Sequence, residues 1–257
     1  MNNFWVIYKK EWLEIVRTKR LLILIILFGF IAIASPVLAK VTPMLLKSMP
    51  ATPGLTINLP DPTWHDAIDQ LVKNISQIAL TALIFIFAGI VCEEKNKKTL
   101  EMTLAKPISR SRFILAKFWA NLLAMTIIYF SSLVVFYFYT VSIFGNFDLA
   151  SFARLSLFLF LYLVIIYSVT IFFSSISKNQ IAAAGLSFLF LIIITIILSL
   201  FSKIINYLPS YILGHYKDIF DAFSLQNFLP SILTEIILVF ILVISSVQIF
   251  KQQEIER

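Results

Sequence analysis

Six stretches of the sequence, residues 21–39, 75–92, 122–144, 152–173, 181–201 and 231–250, are apolar almost throughout, and Arg154 and Glu235 are the only charged residues in them. A helix rises about 1.5 Å per residue and the hydrocarbon core of a bilayer is about 30 Å thick, so about twenty such residues make one crossing. In lipid every backbone donor and acceptor must be paired within the protein, which makes the helix the natural conformation for segments of this kind. Charged residues make up 14% of the 257 positions, against about 25% in soluble domains, and hydrophobic residues 60%. The pattern predicts an all-α integral membrane protein, one domain over residues 1–257, with six transmembrane helices.

An even number of crossings puts both termini on one side, and the basic residues decide which. Lys9, Lys10, Arg17, Lys19, Arg20, Lys95, Lys97, Lys98, Lys106, Arg110, Arg112, Lys117, Lys178, Lys251 and Arg257 lie on the side of the termini, fifteen in all. The other side holds six: Lys40, Lys47, Lys73, Arg154, Lys203 and Lys217. The positive-inside bias therefore predicts a multi-pass protein of the cell membrane with both termini cytoplasmic. The net charge of +7 has the same origin, so the expected partner is the lipid bilayer and not nucleic acid. Cys92 is the only cysteine, which excludes an internal disulfide. The opening residues are too aromatic and too charged for a cleaved signal, and the first crossing is expected to be retained.

On the outer side, residues 40–74 carry Pro43, Pro50, Pro53, Pro60 and Pro62 and are not expected to form one regular helix. Within them TWHDAIDQLVK, residues 63–73, predicts a short amphipathic helix at the membrane surface. Residues 202–230 read similarly, with Pro209 and Gly214 between helical patches.

Two cytoplasmic stretches carry more information. In the first twenty residues, Trp5, Tyr8, Trp12, Ile15 and Val16 fall on one helical face and Lys10, Glu14 and Arg17 on the other, predicting a helix in the membrane interface. A plain anchor before the first crossing would read the same way. Residues 93–117, EEKNKKTLEMTLAKPISRSRFILAK, form the longest and most charged cytoplasmic stretch. Leu100, Thr103 and Leu104 share a face, so a short helix fits until Pro107 disfavours helical geometry at Lys106. Ser109 or Ser111 can then cap a second helix running through Phe113 and Lys117 into the third crossing. Helix, proline stop and capped restart make a rigid knob able to transmit force. A solvated turn whose lysines only set the topology is the plainer alternative.

Both stretches resemble the membrane subunits of ABC-2-type exporters. That family's second cytoplasmic segment commonly shows acidic residues, Gly-Thr, two leucine-like positions, Pro, Ser, Arg and a later Lys. Here Glu93, Glu94, Thr99, Leu104, Pro107, Ser109, Arg110 and Lys117 stand in that order, with Lys98 where many members have glycine. The opening YKKEWLEIVRTKR is similar to the family's N-terminal interfacial helix, with Lys10, Glu11 and Arg17 in matching places.

The resemblance implies a permease half with an interfacial helix, marked by Trp5, Tyr8, Lys10, Trp12 and Arg17, and a cytoplasmic coupling helix seated in a groove of a separate ABC ATPase. Glu93, Glu94, Lys98, Thr99, Leu100, Glu101, Leu104, Pro107, Ser109 and Arg110 would make that contact. A second permease, identical or homologous, and two ATPases would complete the exporter. ATP and Mg2+ would be held by the ATPases, since the chain has no G-x-x-x-x-G-K-[ST] loop and no cofactor of its own is expected.

Two other classes compete with this reading. A secondary transporter usually places ionisable relays within its spans, whereas Arg154 and Glu235 are both expected near outer ends, where snorkelling suffices. An intramembrane enzyme would need a constellation that His65 and His215, both on the outer side, do not supply: neither H-E-x-x-H nor G-x-S-x-G occurs. The transported substrate is not legible in these residues.

The topology has a direct test. Single cysteines introduced at Lys97 and at Asp61, in a Cys92→Ser background, should respond oppositely to an impermeant thiol reagent on intact cells. Labelling of position 97 from outside would overturn the orientation.

Overall fold

The computed structural model describes residues 3–48, 60–96, 109–199, 205–221 and 223–252, and every regular element among them is helical. In chain order these are α1 (Asn3–Arg17), α2 (Arg20–Ser48), α3 (Trp64–Asn74), a π turn (Ile75–Ala79), α4 (Leu80–Asn96), α5 (Arg110–Phe144), α6 (Leu149–Ile176) and α7 (Gln180–Ser199). Two short helices, α8 (Tyr211–His215) and α9 (Asp218–Asp221), precede α10 (Leu225–Gln252). Five helical runs are long and apolar enough to cross a membrane: α2, the continuous run α3–α4, α5, α6 and α10. The stretch Gln180–Ile196 of α7 is equally apolar but shorter.

Several boundaries differ from the sequence expectation, always because a helix continues past the apolar run. Ser109 stands at the N-cap of α5 in an extended conformation, as its place after Pro107 suggests. From there α5 runs unbroken for 35 residues. At 1.5 Å per residue that is about 52 Å, against about 30 Å of hydrocarbon, so several turns project beyond the membrane. Lys117 lies on that projecting part.

The segment 63–73 is not a separate surface helix. The Thr63 backbone N–H donates to the Asp66 carboxylate at 2.7 Å and starts α3, whose buried residues Ala67, Ile68, Leu71 and Val72 belong to the main core beside α2. The helix then passes through the π turn into α4. The amphipathic pattern thus marks packing on a neighbouring helix. Likewise α2 does not stop before Pro43: it continues to Ser48 with Pro36 and Pro43 inside. An interior proline costs about 3 kcal/mol, and the packing of α2 on α3 and α5 outweighs it.

The bundle is arranged around α6. In its most apolar window 78% of residues are buried, against 17–56% in the other four crossing-capable runs. It packs on α4, α7 and α10 and holds large aromatics in place. The Tyr167 hydroxyl donates to the Phe118 carbonyl of α5 at 2.9 Å, and Tyr129 of α5 donates to the Ser156 carbonyl of α6 at 2.9 Å. Ser168 and Thr170 return their hydroxyls to carbonyls four residues back at 2.7 Å, so these two buried groups are paired within their own helix. The turn from α5 to α6 is made by Gly145 at φ 90°, a conformation open mainly to glycine, and Asp148 caps α6 by accepting from Ser151 N at 2.9 Å.

Candidate functional site

The two ends of the charged loop 93–117 and the N-terminal helix meet in one cluster. Helix α1 lies across α5, where Ile15 packs on Ala120 and Ala124, small residues that let the two helices approach closely. A turn of the same face brings in Ile7, which joins the main core. Between Ile7 and Ile15 sits Glu11, only 1% exposed.

Lys117, also 1% exposed, answers it: Lys117 Nζ is 2.7 Å from Glu11 Oε2 and 2.8 Å from Glu94 Oε1 at the end of α4. Four more contacts close the network, one of them from Lys10 Nζ to Glu11 Oε1 at 3.5 Å. Lys10 Nζ lies 3.2 Å from Glu94 Oε1 and 3.7 Å from Glu14 Oε2, and Arg20 Nη1 lies 3.7 Å from Glu14 Oε1. Three cations and three carboxylates from α1, α2, α4 and α5 thereby balance. Between α1 and α2 only Thr18 and Lys19 intervene, and Lys19 adopts φ 60°, which fixes the angle of entry into the first crossing.

Glu11, Glu14 and Glu94 offer carboxylate oxygens within 4.8 Å of one another, a spacing that suits a cation. The ammonium groups of Lys117 and Lys10 are that cation. Burial holds Glu11 above the ordinary carboxylate value of 4.5; Lys117 pulls against it, and the charges of Glu94 and Glu14 add to it. Lys10 is affected in the opposite sense. Burial alone would lower it, but Glu94, Glu11 and Glu14 together hold it above 10.5.

The neighbouring helix ends are tied to the same base. Lys95 donates to the Ser175 carbonyl of α6 and lies over the Phe250 ring of α10 at 5.5 Å. Phe250 stacks on Phe113 of α5 at 5.7 Å, and Arg110 donates to the Lys251 carbonyl at 3.1 Å.

Of the expected coupling residues, Glu93, Glu94, Ser109 and Arg110 stand at the two anchored ends of the loop. Lys98, Thr99, Leu100, Glu101, Leu104 and Pro107 lie outside the described residues. In α1 the side chains expected in the membrane interface divide. Tyr8 and Trp12 are half-buried against α5, but Trp5 is 59% and Val16 52% exposed, and Arg17 is exposed as expected. The buried face is centred on Glu11, because a charge that pairs with Lys117 outranks one more apolar contact. Lys10, expected on the polar face, makes the ion pairs named above.

Sequence reasoning left Glu11 and Lys117 as motif letters without a role. The signal was present: Glu11 interrupts the spacing Ile7, Tyr8, Trp12, Ile15, as Lys117 interrupts Phe113, Ile114, Ala120 and Ala124.

Elsewhere the two charges in the apolar runs behave differently from each other. Arg154 keeps to the outer end, pairing with Asp148 at 3.8 Å and lying over the Phe223 ring at 4.4 Å. Glu235 does not snorkel: it is 1% exposed, and neither carboxylate oxygen has a hydrogen-bond partner among the described residues.

Removing Lys117 should therefore be costly. Lys117→Met leaves Glu11 and Glu94 buried without their shared cation and should destabilise the protein by about 3–5 kcal/mol, read as a lowered unfolding temperature in detergent. Adding Glu11→Gln should recover part of the loss. If Lys117→Met unfolds like the parent, the cluster is not structural.

Glu11 also sets a pH dependence. A carboxyl held above its ordinary value binds more protons folded than unfolded, so its contribution is present below pH 4.5 and is lost as pH rises through the raised value. Across that window the unfolding temperature of the parent should fall relative to Glu11→Gln. A constant difference between the two would contradict the burial of this carboxyl.

The family model described as ABC-2 family transporter protein matches residues 5–233, from the N-terminal helix into α10. No curated protein matches the chain. The match spans most of the sequence and both charged stretches, and the chain belongs to the ABC-2 transporter family, as a membrane transport subunit.

Proposed function

We propose that this chain is the permease subunit of an ATP-driven exporter in the cell membrane, working as a dimer with a second permease and with separate ATPase subunits. Both termini and residues 93–117 face the cytoplasm, and α7 makes the fifth of six crossings. ATP and Mg2+ are bound by the ATPases. Residues Lys98, Thr99, Leu100, Glu101, Leu104 and Pro107 form a coupling helix whose apolar centre and charged edges fit a protein groove.

The observation that carries this reading is Lys117 bridging Glu94 and Glu11 at 2.8 and 2.7 Å. The loop leaves α4 just after Glu94 and returns to α5 at Ser109, two helical turns before Lys117. A push on the loop thus acts on two helix ends that one ammonium already joins, and the Lys117–Glu11 pair passes it to α1. Close-packed elements joined by short charge-assisted contacts move as units, which is what coupling an ATPase cycle to the spans requires.

Four variants test the chain of transmission, with ATPase co-purification and ATP hydrolysis as readouts. Glu101→Lys and Leu104→Asp should weaken ATPase association by tenfold or more, the usual effect of breaking a desolvated interface contact. Lys97→Ala should change little. Lys117→Met should keep the ATPase bound, yet abolish the change in accessibility of a cysteine at Asp61 on trapping the complex with ATP and vanadate. Should all four bind the ATPase and respond like the parent, the loop is only a topology signal and the coupling reading falls.

A further inference from the structure

Helices α1, α2 and α5 leave a groove of about 390 Å3 between them, lined by Trp12 of α1, Leu21, Ile25 and Gly29 of α2, and one stripe of α5 from Ala124 to Val135. None of the described residues along it is charged. Its hydroxyls, on Ser131 and Ser132, donate to the Ile127 and Tyr129 carbonyls at 2.7 Å, so both protons are spent within α5. The floor is open at Gly29, where an added Cβ would meet nothing within 4 Å beyond its own helix backbone. From Ala124 to Val135 the stripe rises about 16 Å, and half the hydrocarbon thickness of a bilayer is about 15 Å. The groove is therefore one leaflet deep, and its length and wall fit a hydrocarbon chain.

The end of the groove at Trp12 is bordered by positive charge. Lys9 stands three residues before Trp12 and, at about 100° per residue, about 60° from it around α1. Lys19 lies in the turn just before Leu21. Both lysines are exposed and make no ion pair among the described residues. Lys10 and Arg20, by contrast, are engaged by Glu94 and Glu14, and Arg17 lies about 140° around α1 from Trp12. Trp5, Val6, Leu13 and Val16 are each more than half exposed, so the outer face of α1 mixes apolar and basic side chains, as do helices that lie at headgroup depth. A zwitterionic headgroup brings no net charge to Lys9 and Lys19, whereas an anionic one complements both.

We propose that the α1–α2–α5 groove holds an acyl chain of an anionic glycerophospholipid from the leaflet that α1 borders, with Lys9 and Lys19 on its headgroup. The site rests on α2 and α5 crossing the membrane and not on the exporter reading.

Phosphatidylglycerol and phosphatidylcholine with the same acyl chains separate headgroup recognition from simple lipid solvation. Native mass spectrometry of the purified full-length chain, titrated with each lipid in detergent, should show one phosphatidylglycerol retained about 25-fold more tightly than phosphatidylcholine, about fivefold for each lysine at an anionic headgroup. Lys9→Gln with Lys19→Gln should erase that preference. Lys178→Gln with Lys251→Gln removes the same charge at two exposed positions on other helices, and should keep it. Gly29→Leu, which fills the open floor and leaves both lysines in place, should weaken phosphatidylglycerol tenfold or more. Glycerophosphoglycerol, the headgroup without its chains, should not be retained. Thermal unfolding of each variant establishes that it is folded, and the two lysine pairs, being exposed, decide even if Gly29→Leu is not. Equal retention of the two lipids, equal losses in the two lysine pairs, an unchanged preference in Lys9→Gln with Lys19→Gln, full retention by a folded Gly29→Leu, or retention of the chain-free headgroup would each overturn the proposal. No ATPase takes part, so failure here leaves the coupling reading standing, and failure of ATPase association leaves this site standing.

Discussion

An ammonium group taken out of water beside a membrane has to recover its hydration from protein, and Lys117 does so with carboxylates from two other helices. The idealised transfer of a single ion from water to a dry interior costs on the order of 20 kcal/mol, and even after relaxation several kcal/mol remain. That cost is tolerable only while Glu11 and Glu94 stay where they are, at 2.7 and 2.8 Å. The pairing therefore contributes little net stability and a great deal of definition: it specifies how α1 lies on α5 and where α4 ends. Much of the base of the bundle follows from it. The left-handed Lys19, the contact of Lys10 with Glu94 and the close approach of Ile15 to Ala120 and Ala124 all belong to that arrangement.

Away from the base, the interior uses a different solution. Hydrophobic association is weak between helices already surrounded by lipid, so packing and hydrogen bonding have to hold α6 in place. Its small hydroxyl residues return their protons to their own helix, while the Tyr129 and Tyr167 hydroxyls cross between α5 and α6. These two cross-helix bonds fix one register between α5, which carries Lys117, and α6.

The buried acids of this chain fall into two kinds. Glu11 and Glu94 face cations supplied by the protein and act as structure. Glu235 is as buried as Glu11 and has no hydrogen-bond partner among the described residues.

The sequence by itself determined the solvent, the secondary structure and the place of the charged loop. Runs of apolar residues about twenty long allow hardly any conformation but a helix, and Ser109 after Pro107 marks where α5 begins. The family is likewise written in residues 5–233. Helix ends beyond the apolar runs were not legible, since α2, α3 and α5 continue on the strength of packing partners that are remote in sequence. Nor was the role of Glu11, because only the tertiary structure brings Lys117 within reach across 106 positions of chain. The same holds in reverse for Glu235. A lone acid in an apolar run reads as an interfacial residue, and only the packing of α10 against α6 buries it, with no hydrogen-bond partner among the described residues.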